Sequence, residues 1–90
     1  MSNKRAIVRY NLFTLRNQLE ILKQRKYPWG EIAEQTGLSR KTLEHIAKNK
    51  YLRTDFSTLT ALISFFHNEG MPIGIQDLLT LSFEDQDDET

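Results

Sequence analysis

The residues with the clearest chemical potential are basic, and they are concentrated in one part of the chain. All twelve Lys and Arg residues lie at or before Arg53, together with only four acids, so residues 1–53 carry a formal charge of +8. Residues 54–90 contain eight acids and no Lys or Arg, which gives −8 and hides the polarity behind a net charge of zero. A strongly basic surface attracts a polyanion. The counts alone leave open a soluble protein whose charges merely segregate.

Residue groups that would support catalysis or hold a metal ion are missing from the sequence. The two histidines, His45 and His67, are 22 residues apart, and there is no cysteine. This excludes a disulfide scaffold, a thiolate zinc site, an iron–sulfur cluster and a cysteine nucleophile. We therefore expect no enzyme activity, no cofactor and no metal. The lack of cysteine suits a cytoplasmic protein, and no apolar run approaches the length of a membrane span.

The spacing of apolar residues predicts an all-α fold of five helices within residues 1–83. Asn11 can cap the first helix, which Tyr27-Pro28 ends. Asp55 or Ser57 can cap the fourth, and Ile75 to Leu81 reads as the fifth. The expected buried stripes of these three helices are Leu12, Leu15, Leu19 and Leu22; Leu59, Leu62, Ile63 and Phe66; and Ile75, Leu78 and Leu79.

Two terminal segments are less regular than the helices. Residues Ile7 to Tyr10 are β-branched and aromatic, so they fit either a short strand or an additional helical turn. Residues 84–90 carry five acids and nothing apolar, which predicts a disordered acidic tail.

The most informative segment contains two short helices joined by a tight turn. The second helix runs from Pro28 to about Thr36, and Gly37 can take the left-handed conformation that ends it. Ala33 is small enough for two helices to cross closely, and Leu38 can fill the gap between them. Ser39 is a favourable cap for a third helix from about Arg40 to Lys48, which Asn49 can close in a left-handed conformation. This order is typical of a helix-turn-helix.

These residues resemble the helix-turn-helix of the lambda-repressor/Cro-type family of bacterial and phage DNA-binding proteins. The resemblance covers about residues 8–81 and includes Val8-Arg9-Tyr10-Asn11-Leu12, Asp55-Phe-Ser-Thr-Leu59 and Ile75-Gln-Asp-Leu-Leu79. Three positions depart from the family pattern. Trp29 stands where members usually have Gln, Ala47 where many have Glu, and Asn49 where many have Gly.

Carried over position by position, the resemblance implies a map of DNA contacts. The residues placed to read bases in the major groove are Arg40, Lys41, Glu44 and His45. Arg and Lys can bind guanine, and Glu can accept from cytosine. The residues placed to contact phosphates are Trp29, Ser39, Thr42, Lys48, Lys50 and Tyr51. For each basic residue the simpler alternative is a solvated helix face. Glu44 can also pair with Arg40 or Lys48, and Trp29 can be an aromatic at the edge of the core.

The resemblance implies a sequence-specific, double-stranded-DNA-binding transcriptional regulator, such as a repressor. Family members usually bind palindromic operators as dimers, so we expect a homodimer. Its candidate surfaces are the Ile7-Val8 segment and the fifth helix with Phe83. One alternative is an antitoxin that binds a toxin protein and represses its own operon. A second alternative is a protein-interaction module without DNA binding, against which the basic third helix argues.

Overall fold

The computed structural model describes residues 3–50 and 55–86 as five helices and two strands. The helices surround one small core, and the two strands pair with each other beside it. In chain order the elements are β1 (Asn3–Tyr10), α1 (Leu12–Lys23), α2 (Trp29–Thr36), α3 (Arg40–Ala47), α4 (Phe56–Asn68), α5 (Ile75–Leu78) and β2 (Leu79–Gln86).

The prediction of an all-α fold is wrong, because β1 and β2 form a two-stranded antiparallel sheet. The segment from Ile7 to Tyr10, for which strand and helix both remained open, belongs to β1. The predicted fifth helix ends at Leu78 instead of Leu81. From Leu79 to Phe83 apolar and polar residues alternate with the period of a strand, and β1 supplies the partner. The local helical spacing could not reveal a partner about seventy positions away.

The predicted acidic tail is part of the same sheet over its first three residues. Glu84, Asp85 and Gln86 belong to β2 and are not disordered, whereas residues 87–90 lie outside the described part of the chain. Lys4 Nζ lies 2.8 Å from an Asp85 carboxylate oxygen, and Arg5 lies 3.3 Å from Glu84. Opposite charges across the strands therefore accompany the pairing, although such exposed pairs each add little stability.

The core contains most of the residues predicted for it. Leu22 and Ile75 are the exceptions, with 56% and 51% of their surface exposed. Leu22 lies on the last turn of α1, and Ile75 is the first residue of a helix of only four residues. Both side chains therefore lie at a helix end, where the buried side of the helix does not extend far enough to include them. The fully buried side chains are Leu12, Leu19, Tyr27, Ile32, Leu43, Ile46, Leu62, Phe66 and Leu78.

Tyr27 joins the turn after α1 to the end of α4, a role that the sequence did not reveal. Its ring is fully buried and meets Phe65 edge-on at a centroid distance of 6.0 Å. Its hydroxyl donates to Glu69 at 2.7 Å, and its backbone N–H donates to Glu20 at 2.7 Å. The Arg25 guanidinium lies 4.0 Å from the ring centroid. Burial, followed by the hydrogen bond to Glu69, raises the pKa of Tyr27 above its usual 10.0.

The change Tyr27→Phe removes the hydroxyl and keeps the ring. We expect the free energy of unfolding to fall by about 1–2 kcal/mol at neutral pH, because a partly buried hydrogen bond to a carboxylate is lost. A raised folded-state pKa means that the contribution is complete below the unfolded pKa and disappears as the pH rises through the folded one. Urea unfolding at several pH values should therefore show the two proteins converging above about pH 10. A difference that stayed constant to high pH would contradict this account.

The change Leu43→Ala tests the buried face of α3. Leu43 has no exposed surface, so its truncation should leave a cavity and cost about 2–5 kcal/mol. Leu22→Ala is the matched control, since the same atoms are removed from a largely exposed helical position, and it should cost less than about 0.5 kcal/mol. Equal thermal midpoints for the two variants would show that Leu43 is not a core residue.

Candidate nucleic-acid interface

A tight turn joins α2 to α3. Gly37 has φ of 78°, the left-handed conformation predicted for it, and its N–H donates to the Ala33 carbonyl at 2.9 Å. Leu38 packs against the core between the two helices. Ser39 caps α3, accepting a hydrogen bond from the Thr42 N–H at 3.0 Å. The positions of Gly37, Leu38 and Ser39 agree with the sequence prediction, and together they set the direction in which α3 leaves the turn.

The two sides of α3 differ sharply in polarity. Leu43 and Ile46 are fully buried, which fixes the rotation of the helix about its axis. The predicted base-reading residues lie away from that buried stripe: Arg40, Lys41 and His45 are exposed, and Glu44 is half-buried. Because this packing fixes the rotation of α3, its polar and cationic side chains remain exposed to solvent.

The charges on this face are only partly compensated. Arg40 Nε lies 3.5 Å from a Glu44 carboxylate oxygen, one helical turn away, which is the pairing that the sequence offered as an alternative role for Glu44. Both side chains remain substantially exposed, 72% for Arg40 and 39% for Glu44, so the pair is weak and can exchange partners. Among residues 3–50 and 55–86, no carboxylate pairs with Lys41, Lys48 or Lys50.

The hydroxyl groups of Ser39 and Thr42 already bond to each other. Ser39 donates its proton to Thr42 Oγ1 at 2.8 Å, in addition to accepting from the Thr42 N–H. Thr42 keeps its own hydroxyl proton, which can donate to a further acceptor. Of these two residues, both predicted to contact phosphates, Thr42 is therefore the better donor, and Ser39 serves as the cap of α3.

The remaining predicted phosphate contacts have different surroundings. Trp29 is half-buried against the core, and the Arg16 guanidinium lies 4.1 Å from its ring centroid. This is the edge-of-core position offered as the alternative for Trp29. Lys48 and Lys50 are exposed just after α3, and Tyr51 lies outside the described residues.

Asn49 ties the end of α3 to the sheet, which the sequence did not predict. It has the expected left-handed conformation, with φ of 56°. Its side-chain oxygen accepts from the Tyr10 N–H at 2.6 Å, and its side-chain nitrogen donates to the Tyr10 carbonyl at 3.1 Å. Asn49 thereby satisfies both backbone groups of the residue that ends β1. The sequence indicated the left-handed conformation of Asn49, but it did not indicate the partner 39 positions earlier.

Comparisons with known proteins identified no relative of this chain. The chain matched no protein-family model, no curated protein and no solved structure. The resemblance to the lambda-repressor/Cro-type family therefore stays a prediction from the sequence. Within the described residues, no helix has the length and apolar character needed to cross a membrane.

The change Asn49→Gly tests the link between α3 and β1. Glycine accepts the positive φ at no steric cost, so the variant removes the two amide hydrogen bonds without adding backbone strain. We expect the free energy of unfolding to fall by about 1–2 kcal/mol and the Tyr10 amide hydrogen to exchange faster with solvent. Asn49→Asp is a graded control, since it keeps the acceptor and loses the donor. Unchanged protection of the Tyr10 amide in Asn49→Gly would rule out the link.

Proposed function

We propose that this protein binds double-stranded DNA in a sequence-specific manner and regulates transcription, as a repressor of the lambda/Cro type would. The observation that carries the proposal is the exposed polar face of α3, on which Arg40 pairs only with Glu44 and Lys41 has no carboxylate partner among residues 3–50 and 55–86. The buried Leu43 and Ile46 hold this face in place from the other side of the helix. An α-helix with its side chains is about 10–12 Å across, which matches a major groove about 12 Å wide.

The first two turns of α3 carry the side chains best suited to read bases. Arg40 can give two parallel hydrogen bonds to guanine O6 and N7, and Lys41 can bind the same atoms as a point charge. Glu44 can accept from the cytosine amino group, and His45 can donate to an acceptor on a base edge. The ion pair of Arg40 with Glu44 must open when both residues bind bases, at small cost because it is exposed.

The residues around the ends of α3 are suited to hold the DNA backbone. Lys48 and Lys50 follow the helix as exposed cations without a carboxylate partner in the described part of the chain, and Thr42 keeps a hydroxyl proton near the start of the helix. Contacts of this kind fix the orientation of the protein on the duplex without reading sequence. Two classes of contact therefore alternate along about three turns of chain, from Ser39 to Lys50.

The proposal predicts different effects for Arg40→Ala and Lys48→Ala. Preferred duplexes are first selected from a random library, and affinities are then measured by fluorescence anisotropy at several salt concentrations. Arg40→Ala should cost about 1–3 kcal/mol on the selected site and relax the base preference at one position. Lys48→Ala should weaken selected and random duplexes alike and reduce the slope of log affinity against log salt by about one.

Lys26→Ala is the matched control, because Lys26 is an exposed cation in the turn after α1 and lies outside the proposed interface. It should leave the base preference unchanged. If wild-type protein bound no duplex at low salt, the proposal would fail outright. If Arg40→Ala kept the affinity and the preference of the wild type, α3 would not be the reading helix.

A further inference from the structure

A small open cavity lies where β1, α1 and the end of α3 meet. Arg9 and Thr80, which are opposed in the sheet register, line it from the two strands. Thr14 lines it from α1, and Ala47 lines it from α3. The volume of this junction cavity is about 240 Å³. Pockets that hold drug-sized ligands enclose roughly 300–1,000 Å³, so the junction cavity suits a smaller molecule or an ion.

The side chains around the junction cavity select for an anion, because none of the residues that line it is acidic. Its polar lining includes Arg9, Asn11, Thr14, Asn49 and Thr80, each of which can donate a hydrogen bond. Arg9 also brings a permanent positive charge. Among residues 3–50 and 55–86, no carboxylate pairs with Arg9, so its charge is available to a ligand.

The hydrogen bonds already made inside the junction cavity leave further donors. Asn49 gives one side-chain N–H to the Tyr10 carbonyl at 3.1 Å, and Asn11 gives one to the Asp77 carbonyl at 3.3 Å. A primary amide has two N–H donors, so each asparagine keeps one. These amides, the Thr14 hydroxyl and the Arg9 guanidinium lie on different parts of the chain around one space.

Two acidic residues close to this region in the sequence are engaged elsewhere. Glu44, which lies one helical turn before Ala47, pairs with Arg40. The Asp77 carboxylate accepts from the Gly74 N–H at 2.9 Å. Neither carboxylate belongs to the lining of the junction cavity. The donors there therefore meet no acceptor group of an acidic side chain.

We propose that the junction cavity binds a phosphate group, held by Arg9 and by the hydroxyl and amide donors beside it. A phosphate group carries three strong acceptor oxygens that point in different directions, which fits donors placed on several elements. Phe13 lines the same cavity and is 51% exposed, so its ring can contact the carbon part of a small phosphomonoester. The second source of such a group is the backbone of DNA, and the two sources predict different results with a duplex.

A phosphate in the junction cavity would act on α3 through Asn49. This residue lines the cavity and also bonds both backbone groups of Tyr10. A ligand that accepts from the remaining N–H of Asn49 holds the amide in place and stabilises the link between β1 and α3. Binding to the folded chain alone should raise the thermal midpoint as the ligand concentration rises.

The first test titrates the full chain, without DNA, with inorganic phosphate and with phenyl phosphate at constant ionic strength. Backbone amides of residues 9–14, of Asn49 and of Thr80 should shift together in NMR spectra and saturate with a Kd of about 1 mM or lower. Phenyl phosphate should bind at least about threefold more tightly than inorganic phosphate, because its ring contacts Phe13. Phe13→Ala should remove that preference and keep the affinity for inorganic phosphate.

Two changes of the polar lining should weaken the binding. Arg9→Gln should raise the Kd about tenfold or more, and Thr14→Val about threefold, because each removes a donor to a charged ligand. Arg5→Gln is the matched control, since it removes the same charge from an exposed position of β1 outside the cavity, and it should leave the Kd unchanged. Thermal melting without ligand establishes that each variant is folded. A wild type without saturable shifts at these amides, or equal Kd values for Arg9→Gln and Arg5→Gln, would overturn the proposal.

The second test separates the two sources of the phosphate group with a selected duplex. If DNA supplies it, Arg9→Gln should reduce the slope of log affinity against log salt by about one, and phenyl phosphate should compete with the duplex. If a small molecule supplies it, the slope should stay that of the wild type, and phenyl phosphate should bind the protein–duplex complex as it binds the free protein. A wild type that bound no duplex would contradict only the proposed function, since the titrations without DNA measure the cavity independently.

Discussion

Two hydrogen bonds from one side chain connect the parts of this molecule. The amide of Asn49 occupies both backbone groups of Tyr10, so the end of β1 and the end of α3 cannot move independently. Tyr10 is itself buried in the core, and β1 holds β2 along eight residue pairs. The sheet, the core and the exposed helix are therefore joined at one place, where Asn49 has a left-handed conformation.

The charges of the chain are paired unevenly over this structure. The chain has no net charge, yet its acidic half compensates the basic half unevenly. Glu84 and Asp85 pair with Arg5 and Lys4 along the sheet, whereas the cations after α3 have no carboxylate partner among the described residues. Two cations of the sheet are thus paired across its strands, while Lys48 and Lys50 keep exposed charges without a carboxylate partner among residues 3–50 and 55–86. The proposed binding of a polyanion rests on this uneven distribution and not on the total charge.

The sequence predicted the local features well and the long-range ones poorly. Gly37, Ser39 and Asn49 could be assigned because each acts on a backbone within a few residues, and all three have the conformations or capping roles that were expected. The fourth helix is capped by Asp55, one of the two caps that the sequence offered. The sheet was missed because each strand is stabilised by the other, which is distant in sequence. The burial of Tyr27 was missed for the same reason, since Phe65 and Glu69 create its site from another helix.

The pairing of β1 with β2 has a consequence for how the chain folds. Asn3 pairs with Gln86, so formation of the sheet closes the longest loop in the described chain. Formation of a helix joins only residues that are a few positions apart. The entropy of loop closure has to be offset by contacts already formed, and here those contacts are in the helical core. We therefore expect the helices to assemble first and the strands to join last. On unfolding we expect the reverse order, in which the strand residues beyond Tyr10 and Leu79 open by local fluctuations while the core and α3 remain intact.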